Sequence, residues 1–168
     1  MLVLLVRHGH AGTKRHWEGD DSFRPLNEQG LAEATALADL IASFTPVRIV
    51  SSPFLRCVQS VSPLAHAFEL QVERSQSLVP EGGDAATSLA LGVTSDTMGA
   101  VVLCTHGEVI RDVQANLGRG CLDSFGPDRP REKASVWVLE RIDGQFVSST
   151  YLPPPRIQPV PATFDNAS

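Results

Sequence analysis

Two runs of uninterrupted apolar residues, LVLLV at 2–6 and VVLC at 101–104, restrict the architecture more than any other feature of the sequence. A strand with no polar face must be covered on both sides. A largely parallel sheet with helices above and below meets that condition. The intervening chain supplies the helices. Asn27 is the expected N-cap of a first helix, with Leu26 and Leu31 in the two positions of a hydrophobic staple and Leu31, Ala34, Ala38 and Ile41 recurring at helical spacing. Residues 47–50 read as a strand. Ser51-Ser52-Pro53 then predicts a helix with a capping hydroxyl and proline in its first position, running to about Phe68. Residues 70–73 alternate like a strand, Pro80-Glu81-Gly82-Gly83-Asp84 forms a turn, and Asp84 is the expected cap of a helix over 85–94. A helix from Gly107 to about Leu117 follows the third strand, and runs 135–141 and 146–151 form a hairpin across Asp143-Gly144. The expected fold is one α/β domain over 1–152, a three-layer α/β/α sandwich with a mostly parallel central sheet. The prolines beginning at Pro153-Pro154-Pro155 predict a disordered or surface-bound tail over 153–168.

A chain of 168 residues, 42% hydrophobic, has length for one such core and not for two. Its formal charge is −5 and no block of Lys or Arg interrupts it, which argues against a nucleic-acid polymer or an anionic membrane as partner. Any anion it binds must meet a local cationic pocket. Cysteine occurs three times, at Cys57, Cys104 and Cys121, an odd number, with Cys104 inside an apolar run, as expected in a reducing, cytoplasmic setting. The opening apolar run is shorter than the roughly 7–15 residues of a signal-peptide core. No segment reaches the ~18 apolar residues of a membrane span.

Polar signals stand where the strands end. Arg7-His8-Gly9 follows the first, Ser51-Ser52-Pro53-Phe54-Leu55-Arg56 the second, and Thr105-His106-Gly107 the third. In open α/β sheets ligands bind beyond the carboxyl ends of the strands, where loops and helix N-termini converge. Two guanidinium groups and two imidazoles gathered there would compensate a phosphate dianion. The rival use of clustered histidines is metal binding. His8 and His10 have no acidic or cysteine partner at metal spacing, so no metal and no cofactor is assigned.

These three motifs, in this order from Leu2 to Leu117, resemble the histidine phosphatase (phosphoglycerate-mutase-like) superfamily. The short length and the stretch Leu78-Val79-Pro80-Glu81-Gly82-Gly83-Asp84 are similar to its small SixA-type branch of phosphohistidine phosphatases. The loop from Ala11 through Lys14 and Asp21 to Leu26 also resembles the phosphatase domain carried by some actinobacterial MutT-type Nudix hydrolases, although this chain has no Nudix box. The resemblance implies that His8 attacks phosphorus and carries the phosphoryl group, while Arg7, Arg56 and His106 bind its oxygens. Neighbouring arginines favour the neutral, nucleophilic ring, and a Gly9 carbonyl can take the proton of its other nitrogen. Glu81 is the candidate general acid, against the alternative of an ordinary loop carboxylate. Glu108 is the other candidate, or a first-turn residue offsetting the helix dipole. Gly9, Lys14 and Gly107 complete the expected substrate contacts. His10 is expected at the mouth, His66 on a helix surface, Arg24 in a structural role, and Lys14, Arg15, His16 and Trp17 on a mobile solvated loop, the alternative being a loop that reaches distal phosphates or a base. The implied function is metal-independent hydrolysis of a phosphohistidine or a small phosphoester, nucleotides included, with a small phosphorylated molecule or a phosphohistidine protein as partner. The alternative is a catalytically weak phosphate-binding or signalling module of the same fold. A mutase would need longer insertions to cage its substrate.

Overall fold

The structure is a computed structural model and describes residues 1–93, 99–118, 125–126 and 128–157. Cys121 and the part of the predicted tail beyond 157 lie outside the described residues; 153–157 form neither helix nor strand.

Six strands make one sheet: β1 (Leu2–Arg7), β2 (Pro46–Ser51), β3 (Val72–Arg74), β4 (Ala100–Thr105), β5 (Val136–Ile142) and β6 (Gln145–Leu152), in the order β3-β2-β4-β1-β5-β6. The first four pair in parallel, and β5 runs antiparallel to both β1 and β6. Four helices cover it: α1 (Glu28–Ala42), α2 (Leu55–Ala67), α3 (Gly83–Gly92) and α4 (Gly107–Leu117). Alternate residues of β1 sort into two cores, as the two-residue period of a strand requires. Leu4 and Val6 pack with Leu37, Ile41, Val61 and Leu64 of α1 and α2, whereas Val3 and Leu5 pack with Ala86, Ala90, Val109, Ile110 and Val113 of α3 and α4. The expected three-layer sandwich with a mostly parallel sheet is what the chain forms. Asp143 and Gly144 both take positive φ, 48° and 81°, as a two-residue hairpin turn demands. No helix among the described residues is long and apolar enough to cross a membrane.

Several local expectations differ from the structure. Asn27 caps α1 as read, accepting from Gly30 N at 2.9 Å, but Leu31 is 49% exposed. The buried stripe runs through Gly30, Ala34, Leu37, Ala38 and Ile41, one position off the predicted start. Ser52 does not cap α2, which begins at Leu55 with Pro53 outside it. Its hydroxyl lies 3.0 Å from His106 Nε2 and only 3.4 Å from Phe54 N, so the side chain is committed to the site. Asp84 does not cap α3 either. It sits inside the first turn and accepts from Asn116 of α4, with Gly82 at the cap position. At Ser52 and Asp84 a distant partner, His106 or Asn116, takes the side chain that the local pattern assigned to a cap.

Gly30 controls how α1 approaches the loop after β1. A Cβ there would strike the His10 carbonyl. Alanine inside an exposed helix is ordinarily the better helix former. Gly30→Ala is instead expected to lower stability by about 1–3 kcal/mol, the usual cost of overpacking, in a urea titration; unchanged or raised stability would contradict this close approach.

Candidate active site

The register of the parallel ladders assembles the site. Arg7 lies opposite Thr105 and Ser51 opposite Cys104, so β1, β4 and β2 end side by side and the residues just beyond them meet. His8 N donates to Thr105 O at 3.1 Å, and Ala134 N, ahead of β5, donates to the carbonyls of Arg7 and His8. The His8 and His106 rings stand edge to face with centroids 5.2 Å apart. Phe54 closes the group, 4.9 Å from the His106 ring and with the Arg56 guanidinium 4.7 Å above its face, so one aromatic ring steadies both a histidine and a cation.

His8 is held by its backbone. Its Nδ1 lies 2.7 Å from the carbonyl of Gly9, which fixes the proton on that nitrogen and leaves Nε2 as the lone pair turned to the Arg56 Nε at 3.3 Å. Burial is the first cause that pushes the His8 pKa well below its usual value, and His106, Arg56 and Arg7 push in the same direction; the Gly9 hydrogen bond opposes them. A buried imidazole kept neutral, with its free nitrogen facing a cationic cavity, has the lone pair that an attack on phosphorus requires.

Arg56, 3% exposed, is oriented from outside. Its Nη1 donates to Asp21 O at 2.8 Å and its Nη2 to Asp21 Oδ2 at 3.0 Å, which holds the tip so that Nε faces His8 and Nη2 also lies 3.4 Å from His106 Nδ1. Arg7 is seated differently. Its Nη1 donates to Arg131 O at 2.6 Å, and a Cβ on Gly107 would lie 2.7 Å from its Cζ, so only glycine leaves room for this guanidinium. Arg7 Nε is shielded from solvent and has no acceptor among the described residues, an orphaned donor beside the cavity.

The cavity between these groups measures about 420 Å³ and is lined by Arg7, His8, Arg56 and His106 together with Lys14, Arg24, Lys133, Asp21, Glu81 and Glu108. Lys14 reaches it from an exposed loop, and Glu81 is exposed on the turn before α3. Glu108 is in the first turn of α4 and also lines the cavity. Gly9 and Gly107 stand one step behind, the first holding the His8 ring and the second making space for Arg7. His10 turns out of the cavity, its Nδ1 2.6 Å from the buried Glu33 carboxylate, which also accepts from His10 N. His66 is exposed on α2. Five basic side chains therefore face three carboxylates in a chain that is acidic as a whole.

Two of these residues, Asp21 and Lys133, carried no sequence signal strong enough to assign them to the site. Asp21 lies in a loop, and its partner Arg56 is 35 positions away. Burial acts against its ionised form, but the hydrogen bond from Arg24 and the charges of Arg56, Arg24 and Lys14 outweigh it and hold the carboxyl below its ordinary range. Arg24 is structural, as read, through Asp21 Oδ1 at 2.7 Å and Ala11 O at 2.6 Å, and it also lines the cavity. Lys133 precedes β5 with no motif around it. Burial first, then Arg7, Arg24 and Arg56, lower its pKa. Among the described residues no group of three or more His, Cys, Asp or Glu side chains has the arrangement of a metal site.

Residues 3–79 match the model of the histidine phosphatase superfamily, branch 1. Over that stretch, which holds Arg7, His8 and Arg56, the chain is similar to this superfamily. It is 34% identical over 164 residues to an 8-oxo-(d)GTP phosphatase of Mycolicibacterium smegmatis, covering 91% of this chain and 48% of that protein, so it spans about half the length of that relative. Among solved structures it shares its fold with the protein histidine phosphatase SixA complexed with tungstate, at TM-score 0.72 and 22% identity over 90% of this chain and 94% of the other. A mycobacterial glucosyl-3-phosphoglycerate phosphatase superposes at TM-score 0.68 and 17% identity, over 83% and 92% of the two chains. Phosphatases of differing named substrates thus share this fold.

The position of His8 makes its titration a direct check. Because its folded pKa is depressed, the ring stays neutral as pH falls through the usual value of 6.5. The unfolded chain takes up that proton first, so His8 removes stability as pH drops below about 6.5. A histidine NMR titration is expected to find the His8 midpoint below 6.5; a midpoint at or above that value would contradict the buried, cation-flanked setting.

Proposed function

We propose that this chain is a metal-independent phosphatase that hydrolyses a phosphohistidine or a small phosphoester, nucleotides among them, through a covalent phosphohistidine on His8. One observation carries the proposal: the His8 ring, oriented by the Gly9 carbonyl, shares a cavity with Arg7, Arg56 and His106. Phosphoryl transfer passes through a loose transition state whose charge spreads over three oxygens, so positioned cations supply most of the catalysis. Arg7 and Arg56 bind those oxygens. His106, fixed by Ser52 and Phe54, contributes a ring N–H to the same group. The tungstate named with a structural neighbour is a tetrahedral oxyanion of the kind such a cavity suits, and supports the same reading.

In this mechanism His8 Nε2 attacks phosphorus while Nδ1 keeps its proton on Gly9 O. The leaving group departs, and water then attacks the phosphohistidine to release phosphate and restore the neutral ring. Glu81 is the proposed proton donor for a basic leaving group, and Lys14 a contact for its distal part. The proposed setting is cytoplasmic, the partner a small phosphorylated molecule or a phosphohistidine-bearing protein, and the domain 1–152 with 153–168 as a tail.

His8→Ala is expected to abolish both phosphate release and covalent labelling by a phosphorylated substrate, with wild-type turnover unaffected by chelator; full activity in the variant would refute the role of His8. Glu81→Gln is expected to slow an alkyl phosphate by about 10²-fold, the low end of general acid catalysis, and an aryl phosphate much less. Equal effects on the two substrates, or none on either, would remove Glu81 from the mechanism.

A further inference from the structure

A second cavity, of about 370 Å³, adjoins the His8 cavity and shares Gly12 and Arg24 with it. Its lining is more apolar than polar, with Ala11, Pro25, Leu26 and the indole of Trp17 around it. Trp17 is half-buried, and its Nε1 donates to Asp20 O at 3.0 Å, which fixes the ring on the loop. No aromatic partner covers that ring among the described residues.

The shared wall decides what can pass between the cavities. It carries the Arg24 guanidinium, and Lys14, three residues before Trp17, lines the His8 side. Glu81 and Glu108 line the His8 cavity but not the second one. Asp21 is engaged by Arg24 and Arg56 and has no proton to give. A leaving group directed this way therefore meets the cations Arg24 and Lys14 and no carboxylic acid; His16 is the other titratable group in the lining of the second cavity. An alkoxide cannot leave there without a proton, whereas a phosphate leaves as a stable anion and is stabilised by just such groups. Beyond the cations stands an indole, a platform for a flat ring of any base.

We infer that the second cavity is a leaving-group subsite for nucleoside diphosphates, with the terminal phosphoryl group beside His8, the inner phosphate against Arg24 and Lys14, and the base on Trp17. The inference rests on His8 as nucleophile and narrows the substrate class proposed for it. His8 Nε2 forms a bond to the terminal phosphorus as the bond from that phosphorus to the bridging oxygen breaks. The electron pair of the broken bond leaves on the inner phosphate, giving a nucleoside monophosphate. Water then takes the phosphoryl group from His8 and releases inorganic phosphate.

The test compares GDP and ADP with pyrophosphate, which offers the same reacting bond without a base, in the full chain and in Trp17→Ala. Stacking on an indole is worth about tenfold or more. The ratio of kcat/KM for either nucleotide to that for pyrophosphate is expected to exceed about ten, to fall towards one in Trp17→Ala, and to be largely kept in Trp17→Phe. A ratio near one in the unaltered chain, or one that Trp17→Ala leaves unchanged, overturns the subsite. Calorimetric binding of GDP and pyrophosphate to His8→Ala separates the two claims. Trp17-dependent preference for GDP without any turnover in the unaltered chain keeps the subsite and refutes His8 as nucleophile. Turnover of pyrophosphate with no Trp17-dependent preference does the reverse.

Discussion

The pairing of Arg7 with Thr105, and of Ser51 with Cys104, is the constraint on which the cavity depends. Three parallel strands end level with one another, so the residues that follow them converge without any long excursion of chain. A slip of one residue in either ladder would turn each strand's side chains to the opposite face. Such a slip is opposed by β1 itself, whose residues 3–6 are fully buried on both faces. The hydrophobic layers thereby fix the geometry of the site: Leu4 and Val6 lock into one core, Val3 and Leu5 into the other, and His8 can stand in only one place.

Electrostatics then follow from how each charge is tethered. Asp21 holds the outer edge of Arg56, Arg131 O and the absence of a side chain at Gly107 seat Arg7, and Gly9 O holds His8. None of these tethers engages Arg56 Nε, Arg7 Nε or His8 Nε2. The site is organised before an anion arrives, which is the condition under which fixed dipoles and charges lower a barrier without reorganising. The acidic balance of the whole chain is no obstacle, because within this one concavity five basic side chains meet three carboxylates.

Most of the fold was legible because its signals are local or periodic. Apolar runs without polar interruption announced a doubly covered sheet, Asn27 announced α1, and Asp143-Gly144 announced the hairpin. The motif residues were legible for the same reason, since each follows its strand directly. What escaped were residues whose meaning is a partner far away in sequence. Ser52 reads as a helix cap until His106 claims it, His10 as a mouth residue until Glu33 does, and Asp21 as a loop acid until Arg56 meets it. Lys133 reaches the cavity because β5 returns antiparallel to β1, a pairing no local pattern encodes.

The proposed chemistry needs a single point in space where a tetrahedral oxyanion fits between two guanidinium groups and two imidazoles. A crystal structure of the protein soaked with tungstate tests it most directly. The account predicts tungstate in the cavity with its oxygens in hydrogen-bond reach of Arg7, Arg56 and His106 and its centre facing His8 Nε2. Tungstate held elsewhere, or a His8 ring turned so that Nε2 faces away from it, would contradict the account.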